Sequence, residues 1–158
     1  MNVKIKKLSP EAVMPTKAHT TDAAFDLTAI KREYDEFGNV VYHFGLALEI
    51  PEGYVGLIFP RSSICKKDLA LSNAVGVVDA GYRGEVTAKF KLSLKASGAS
   101  PYICDRAIIA GMSLSKIYGI GERVAQLIIL PIPDIKLIEA TELSTTERGE
   151  GGYGSTGK

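Results

Sequence analysis

The sequence predicts an all-β fold, an antiparallel sandwich or barrel, and two observations carry this prediction. The first is the run Glu85–Lys95, in which polar residues alternate with the apolar set Val86, Ala88, Phe90, Leu92 and Leu94. A period of two over that length indicates a strand with one buried face and one solvated face. The second is that many short apolar runs are separated by turns rich in Gly, Pro, Asn and Asp, a spacing typical of sandwiches and barrels.

The other elements follow from the same two signals, taken in chain order. Besides the alternating run, strands are predicted near Val3, in the run that ends at Ile50, and from Tyr54, Arg123 and Ile135. Turn residues separate these runs at Asp35, Pro51, Asp79 and Pro131. One short helix is predicted near Ser62.

The chain is predicted to form a single domain over residues 1–158. Its 158 residues, 46% of them hydrophobic, are enough to bury one substantial core. The stretch 95–121 breaks the alternation and is predicted to be an inserted loop. Residues 147–158 are predicted to be a flexible C-terminal arm, because glycines cost much backbone entropy to order and termini fray unless they are held.

Composition excludes several classes of protein. The formal net charge is +1 and the 19 basic residues are scattered, which argues against a nucleic-acid partner. The two cysteines, Cys65 and Cys104, lack the spacing of a metal site and suit a reducing compartment. The sequence contains neither a signal peptide nor an apolar run that could span a membrane. We therefore expect a cytoplasmic protein, or a nuclear one in a eukaryote.

The C-terminal arm has the composition of a phosphate-binding loop without the helix that such a loop needs. Gly152–Lys158 contains a glycine, four residues, a glycine and a lysine, and then the chain ends. Arg148 and Lys158 supply charge, glycine amides can approach oxygens closely, and Tyr153 supplies one flat ring. Two interpretations stay open from these residues: a clamp for a phosphorylated, ring-bearing ligand, or a disordered glycine-rich terminus.

Three other segments carry candidate site residues, each with a simpler alternative. Arg61 and two hydroxyls follow an apolar strand in Pro60–Ser63, although an arginine at a strand end is usually solvated. Asp79 leads a glycine-rich turn that bears Tyr82, where it could merely cap the turn. Gln126 is the polar residue of an apolar run and could simply face outward.

In this order, five segments resemble the five motifs of the trimeric deoxyuridine triphosphatase (dUTPase) family. They are Thr21–Ala29, Pro60–Ser63, Asn73–Gly84, Gly121–Ile128 and Arg148–Gly157. The resemblance implies a jelly roll, and a homotrimer in which the arm of one subunit closes over a site formed by the other two. It implies hydrolysis of dUTP to dUMP and pyrophosphate, which limits uracil in DNA and supplies dUMP for dTTP synthesis.

The resemblance also implies a role for individual residues. Asp79 would be the general base that activates a water for attack at the α-phosphate. Tyr82 would lie under the deoxyribose, and the hairpin with Asn73, Gly76 and Val78 would recognise uracil through polar groups that cytosine would leave unpaired. Phosphate contacts would come from Arg61, Ser62, Ser63 and Gln126. The arm would add Arg148, Tyr153, Gly154, Ser155 and Thr156, with Tyr153 stacked on uracil.

Mg²⁺ is the expected cofactor, because the developing charge of a triphosphate requires a cation. It would be held through phosphate oxygens and waters, with no direct protein ligand. Asp26 would either hold a water on the metal or steady Arg61, and Arg61 would touch phosphate or form an ion pair with a carboxylate.

Two departures from the family pattern and two alternative functions accompany the resemblance. Ala24 stands where the first motif usually has glycine, a mild change if φ is negative there. The insertion at 95–121 is either a private hairpin or a docking place for a protein partner, since some members, notably from phages, carry extra segments here. The alternative functions are a dCTP deaminase, alone or bifunctional, and a nucleotide-dependent regulatory protein. The deaminase family has a glutamate where this chain has Lys89.

Overall fold

A computed structural model describes residues 1–93 and 116–152 and shows two antiparallel sheets packed around one core. The five-stranded sheet contains β1 (Lys4–Lys7), β3 (Lys31–Tyr34), β4 (Val40–Glu49), β6 (Leu69–Leu71) and β8 (Glu85–Leu92). The four-stranded sheet contains β2 (Phe25–Thr28), β5 (Tyr54–Pro60), β7 (Gly76–Val78) and β9 (Arg123–Pro131). The predicted all-β jelly roll is confirmed.

The long strand β4 organises the five-stranded sheet. Its first half pairs with β3, its second half pairs with β1, and β8 pairs with it along its other edge. A bulge separates the two halves at Gly45, whose φ of +64° favours glycine. Glu85 stabilises this bulge, because its Oε1 accepts a hydrogen bond of 2.8 Å from the Gly45 amide.

The four-stranded sheet positions the candidate site residues. Its order is β2-β9-β5-β7, so β7 is an edge strand and β9 lies in the interior of the sheet. A five-residue 3-10 helix, Ser62–Lys66, follows β5 where a short helix was predicted near Ser62. This helix buries none of its residues. Ile64 is partly buried and packs against the core, so the position of the helix depends on this contact together with polar side-chain contacts.

The core holds side chains from both sheets and a cluster of three aromatic rings. Val86, Ala88 and Phe90 of β8 are buried, as their alternation predicts. The rings of Tyr42 and Phe90 meet edge to face with centroids 5.7 Å apart, and Tyr42 contacts the Tyr118 ring in the same way at 6.2 Å. Burial raises the pKa of the Tyr42 phenol to about 12, so it stays protonated as a hydrogen-bond donor.

The segment after β9 and the end of the predicted insertion differ from the sequence-based predictions. The strand predicted from Ile135 is wrong: residues 132–140 form no strand, and the Ile135 and Leu137 side chains are 68% and 96% exposed. Alternation alone cannot make a strand, since the backbone must also find a partner. Most of the predicted insertion at 95–121 lies outside the described residues. At its end, however, Ile117 and Tyr118 are buried in the core.

Within residues 1–93 and 116–152, no helix has the length and apolar character needed to cross a membrane.

Candidate active site

One end of the four-stranded sheet carries a carboxylate between two arginines. In the sheet register, Asp26 of β2 lies opposite Gln126 of β9, which lies opposite Phe59 of β5. Arg61 follows Phe59 by two residues and continues the extended backbone, so it returns to the same side of the sheet. Its Nε donates to Asp26 Oδ1 at 2.6 Å. Asp26 therefore holds the Arg61 guanidinium in a fixed orientation.

Arg123 binds the other oxygen of the same carboxylate. Its Nη1 donates to Asp26 Oδ2 at 2.9 Å. Arg123 and Gln126 are three residues apart, so in a regular strand they would face opposite sides. A register shift between Leu27 and Thr28 in the β2–β9 pairing removes this conflict, because a bulge changes which face the following residues occupy. Asp26 thus carries one negative charge between two positive charges.

Gln126 and a backbone carbonyl complete this end of the sheet. The Gln126 Nε2 donates to the Pro60 carbonyl at 2.8 Å, and Arg61 Nη1 donates to the Arg123 carbonyl at 3.3 Å. We refer to Asp26, Arg61, Arg123 and Gln126 as the arginine end. These residues bind one another. The end of β5, from which Ser62 follows, is therefore held by the Gln126 bond to Pro60 and by the contacts of Arg61.

The two serines after Arg61 differ in their surroundings. Ser62 is exposed, and its carbonyl oxygen lies 3.0 Å from the Cys65 thiol. The Ser63 Oγ lies 2.9 Å from the buried Tyr118 hydroxyl, and either group can donate. Ser63 is therefore joined to the core, whereas Ser62 faces solvent.

A second region, which we call the hairpin end, consists of the edge strand β7 and the residues on either side of it, Asn73–Gly84; Asp79 leaves this strand at the end of the sheet opposite Arg61. A cavity of about 170 Å³ lies here, and its lining includes Asn73, Gly76, Val78, Asp79 and Tyr82. Ala74 has a φ of +59°, a rare conformation for a residue with a side chain. The Val75 amide donates to the Asn73 carbonyl at 2.6 Å, which makes a tight turn at the mouth of the cavity.

Tyr82 is held over the turn by both its backbone and its ring. Its amide donates to the Asp79 carbonyl at 3.0 Å, and its hydroxyl donates to the Glu85 carbonyl at 2.9 Å. A Cβ at Gly84 would lie 2.6 Å from Tyr82 Cζ, so only glycine lets the ring occupy this place. The Asp79 side chain is exposed, and no donor among the described residues lies within hydrogen-bond distance of its carboxylate.

The two ends are separated within one chain. β7 runs antiparallel to β5, with Val78 opposite Gly56 and Gly76 opposite Ile58. Arg61 therefore leaves β5 at the end where β7 begins, and Asp79 leaves β7 at the end where β5 begins. At about 3.3 Å per residue, their backbones are roughly 20 Å apart.

The start of the C-terminal arm lies apart from both ends. Arg148 is exposed, and its Nε donates to the Gly151 carbonyl at 2.9 Å within its own turn. The other predicted arm residues, Tyr153, Gly154, Ser155 and Thr156, lie outside the described residues.

Both oxygens of Asp26 accept hydrogen bonds from arginines, which is the contact expected if the carboxylate steadies Arg61. In the described part of the chain, no three His, Cys, Asp or Glu side chains are grouped so that they could hold a metal ion. Ala24 does not have a positive φ. This is the condition under which alanine can replace the family's usual glycine at little cost.

Sequence and structure comparisons agree on one family. The dUTPase family model matches residues 10–98. The chain is 34% identical over 158 residues to the deoxyuridine 5'-triphosphate nucleotidohydrolase of Alkaliphilus metalliredigens, covering 99% of this chain and 97% of that protein. The chain belongs to the dUTPase family. A second member, from Nautilia profundicola, is 37% identical over 160 residues, which cover all of both chains.

Solved dUTPase structures from phages have the same fold. A mutant dUTPase of Staphylococcus bacteriophage 80alpha, in a structure with dUpNHpp, aligns with a TM-score of 0.77 and 32% identity over 99% of each chain. A mutant dUTPase from phage phi11 of S. aureus, described as coordinating a structural Mg(II) ion, aligns with a TM-score of 0.68 at 33% identity. It covers 90% of this chain and 98% of the phage chain.

Sequence reasoning missed three residues that contact the candidate site residues. Arg123 lies inside a quoted motif, but its pairing with Asp26 depends on a bulge that the pattern does not reveal. Tyr118 was placed in the insertion, and nothing local indicates that it contacts Ser63. The Glu85 carbonyl holds the Tyr82 hydroxyl, a contact that the short spacing of these two residues could have suggested.

Proposed function

We propose that this dUTPase hydrolyses dUTP to dUMP and pyrophosphate, with Asp79 as the general base. The observation that carries the proposal is the hairpin end, where one cavity brings together an edge strand, the Tyr82 ring and the Asp79 carboxylate. The curated relatives named deoxyuridine 5'-triphosphate nucleotidohydrolase support the same reaction.

The hairpin end suits a pyrimidine deoxynucleoside. Among the described residues, β7 pairs with β5 on one side only, so the outer backbone groups of Gly76–Val78 can bond the uracil edge. A cytosine would leave some of these groups unpaired, which is a large penalty in a buried site. Tyr82 packs beneath the sugar in this proposal. Its ring is held at Glu85 and leaves no room for a 2′-hydroxyl.

The reaction is a displacement at the α-phosphorus. Asp79 accepts a proton from a water as the water oxygen attacks phosphorus, and the bond to the bridging oxygen of the β-phosphate breaks. Pyrophosphate leaves with the electron pair of that bond. Arg61, Ser62 and Gln126 contact the phosphates, and Asp26 fixes the orientation of the Arg61 fork.

The separation of the two ends supports a site shared between subunits of a homotrimer. Arg61 and Asp79 lie roughly 20 Å apart within the chain. That is beyond the combined reach of their side chains on one triphosphate, so they meet only if different copies supply them. The exposed apolar residues Ile135, Leu137 and Ile138 give a copy of the chain a surface to cover. In this trimer, Arg148 and the rest of the arm close over a neighbour's site.

Mg²⁺ fits this site through the substrate. The arginines occupy Asp26, so the oxygens available to the cation are those of the triphosphate and of water. When bound, the cation neutralises charge on the triphosphate. We place the enzyme in the cytoplasm, where it limits uracil in DNA and supplies dUMP.

Nothing in the site favours a dCTP deaminase. At the position of that family's glutamate, the Lys89 ammonium donates to Asp35 Oδ2 at 3.2 Å. A cation does not replace a carboxylate that must activate water beside the ring.

Turnover of a panel of nucleoside triphosphates with Mg²⁺ tests the proposal. We expect release of pyrophosphate from dUTP and little from UTP, dCTP or dTTP. Ammonia release from dCTP would identify a deaminase instead. Binding of dUTP without either product would leave a regulatory protein.

A further inference from the structure

Tyr118 is fixed in the core by contacts on several sides. It is 2% exposed, and its ring lies edge-on to Tyr42 and tilted against Phe90. Its carbonyl accepts two hydrogen bonds, from the Tyr42 hydroxyl at 3.0 Å and from Arg32 Nη1 at 3.1 Å. Burial raises the pKa of the Tyr118 phenol, which therefore stays protonated. The residue is a rigid, neutral hydroxyl bearer anchored to the five-stranded sheet.

The Tyr118 hydroxyl points at the segment that follows Arg61. It lies 2.9 Å from Ser63 Oγ, in the first turn of the 3-10 helix. At the other end of the helix, the Lys67 ammonium lies 4.5 Å from the centre of the Tyr118 ring and donates to the Ile117 carbonyl at 3.2 Å. Two neighbouring residues thus hold both ends of a short helix that has no fully buried residue and packs one partly buried side chain, Ile64, against the core.

Ser63 was predicted to bind phosphate, but its contact suggests another use. A hydroxyl carries one proton, and the bond to Tyr118 occupies part of its hydrogen-bonding capacity. Ser62, the neighbouring residue, is exposed and has no such bond from the core. We therefore expect Ser62 to face the ligand and Ser63 to anchor the segment.

We propose that Tyr118 is a positioning residue: through Ser63 it fixes Arg61 and Ser62 for the triphosphate. The inference rests on the proposed function. Asp26 orients the Arg61 guanidinium from the four-stranded sheet, and Tyr118 holds the backbone that follows from the five-stranded sheet. The phosphate-binding segment is therefore stretched between the two sheets. Loss of the bond between Tyr118 and Ser63 should weaken the phosphate contacts and leave the uracil cavity at the hairpin end unchanged.

Tyr118→Phe tests the inference, with Tyr42→Phe as its matched control. Both variants remove one hydroxyl from the same aromatic cluster, and only Tyr118 contacts Ser63. The Tyr118 carbonyl keeps its Arg32 bond in Tyr42→Phe. We expect kcat/KM for dUTP to fall roughly three- to tenfold in Tyr118→Phe, the worth of one hydrogen bond, and to stay within about twofold in the control. The inhibition constant of deoxyuridine, which has no phosphate, should not change in either variant.

Ser63→Ala and the double variant complete the cycle. If the two hydroxyls act as one unit, Ser63→Ala, Tyr118→Phe and the double variant should show the same loss. A loss in Ser63→Ala alone would mean that Ser63 binds phosphate directly, and the inference would be overturned. Equal losses for dUTP and deoxyuridine would overturn it too, as a general loosening of the fold. If the wild type does not hydrolyse dUTP, the proposed function itself fails.

Discussion

The arginine end and the hairpin end of the same sheet are built in opposite ways. At the arginine end, charged groups satisfy one another: Asp26 binds two guanidinium groups and Gln126 binds a backbone carbonyl. At the hairpin end, Asp79 is exposed, the outer edge of β7 has no partner strand among residues 1–93 and 116–152, and Ala74 adopts a rare backbone conformation. The charged groups of the arginine end are paired with one another, whereas the polar groups of the hairpin end are exposed to a ligand.

This difference indicates how the two ends contribute to catalysis. Arginines held in place before the substrate arrives need little reorganisation to bind phosphate, which favours electrostatic stabilisation. At the hairpin end, the outer backbone groups of β7 and the Asp79 carboxylate are accessible, so they can form hydrogen bonds with a ligand and its attacking water. In the proposed trimer, the prepared end of one copy meets the open end of another at one triphosphate.

The largest effect is expected from Asp79→Asn. Removing a general base should lower kcat by roughly two or more orders of magnitude while dUTP affinity stays within a small factor of the wild type. Because the carboxylate has no described hydrogen bond to lose, the melting temperature should be unchanged. Near-normal turnover would remove Asp79 from this role, and a clear loss of thermal stability would mean that it caps its turn.

Mixing two inactive variants tests whether the ends come from different copies. Arg61→Ala and Asp79→Asn are unfolded together in equal amounts and refolded. In a random closed trimer, each site draws a good Arg61 from one copy and a good Asp79 from another, each with probability one half, so roughly a quarter of wild-type activity should return.

The control for this experiment pairs Arg61→Ala with Gln126→Ala. Both residues belong to the arginine end of one chain, so no mixed trimer contains a site with both intact, and activity should stay low. A site built from a single chain would give no rescue in either mixture, and the shared-site account would then be wrong.

Asp26→Asn should disturb the arginine end without altering the hairpin end. A neutral amide cannot hold both guanidinium groups by charge, so Arg61 loses its fixed direction and kcat/KM for dUTP should fall roughly tenfold or more. The inhibition constant of deoxyuridine should be unchanged. If binding of the nucleoside weakens as well, the two ends are not independent.

Tyr82→Ala should alter selectivity at the hairpin end more than it alters dUTP turnover. Without the ring, the ratio of kcat/KM for dUTP over UTP should fall by roughly five- to tenfold, because room for a 2′-hydroxyl opens. Tyr82→Phe is the control, since it keeps the ring and loses only the bond to the Glu85 carbonyl. An unchanged ratio in Tyr82→Ala would show that the ring serves the packing of the turn alone.

The smallest effect on activity is expected from Asp35→Asn, which removes a carboxylate that also accepts several hydrogen bonds but lies outside both ends. Burial disfavours the charged form of Asp35, but hydrogen bonds from Asn39 and Lys89 outweigh it and lower the pKa of Asp35 from 3.8 to about 2. A lowered pKa stabilises the fold above about pH 4, and this contribution is lost as pH falls towards 2.

Acid unfolding and kinetics measured together test this assignment. The wild type should be more stable than Asp35→Asn at neutral pH, the difference should shrink between about pH 4 and 2, and kcat/KM should be unchanged. Glu36→Gln, in the same turn, is the control and should match the wild type. A loss of activity in Asp35→Asn would mean that the effect of Asp26→Asn reflects stability rather than the orientation of Arg61.

The sequence by itself predicted the family and β1, β4, β5, β8 and β9, but it did not predict the short strands β2, β3, β6 and β7. The alternation around Phe90 predicted β8 and its buried face, because the side-chain period of a strand is a local property of the backbone. The motif order identified the family, and five short segments are enough for that because each can be found without knowing its neighbours in space. The same local reasoning was wrong at Ile135, where an apolar pattern finds no partner strand in the part of the chain that the structure describes.

Only the tertiary structure decided how those segments meet. Asp26 and Arg123 are 97 residues apart, and they pair because one bulge sets the face of β9 on which Arg123 lies. Tyr118 reaches Ser63 only because the core carries it there from 55 residues away. Such contacts depend on strand register and packing, which many residues fix together, and a one-residue slip would exchange the faces of a strand without changing its pattern.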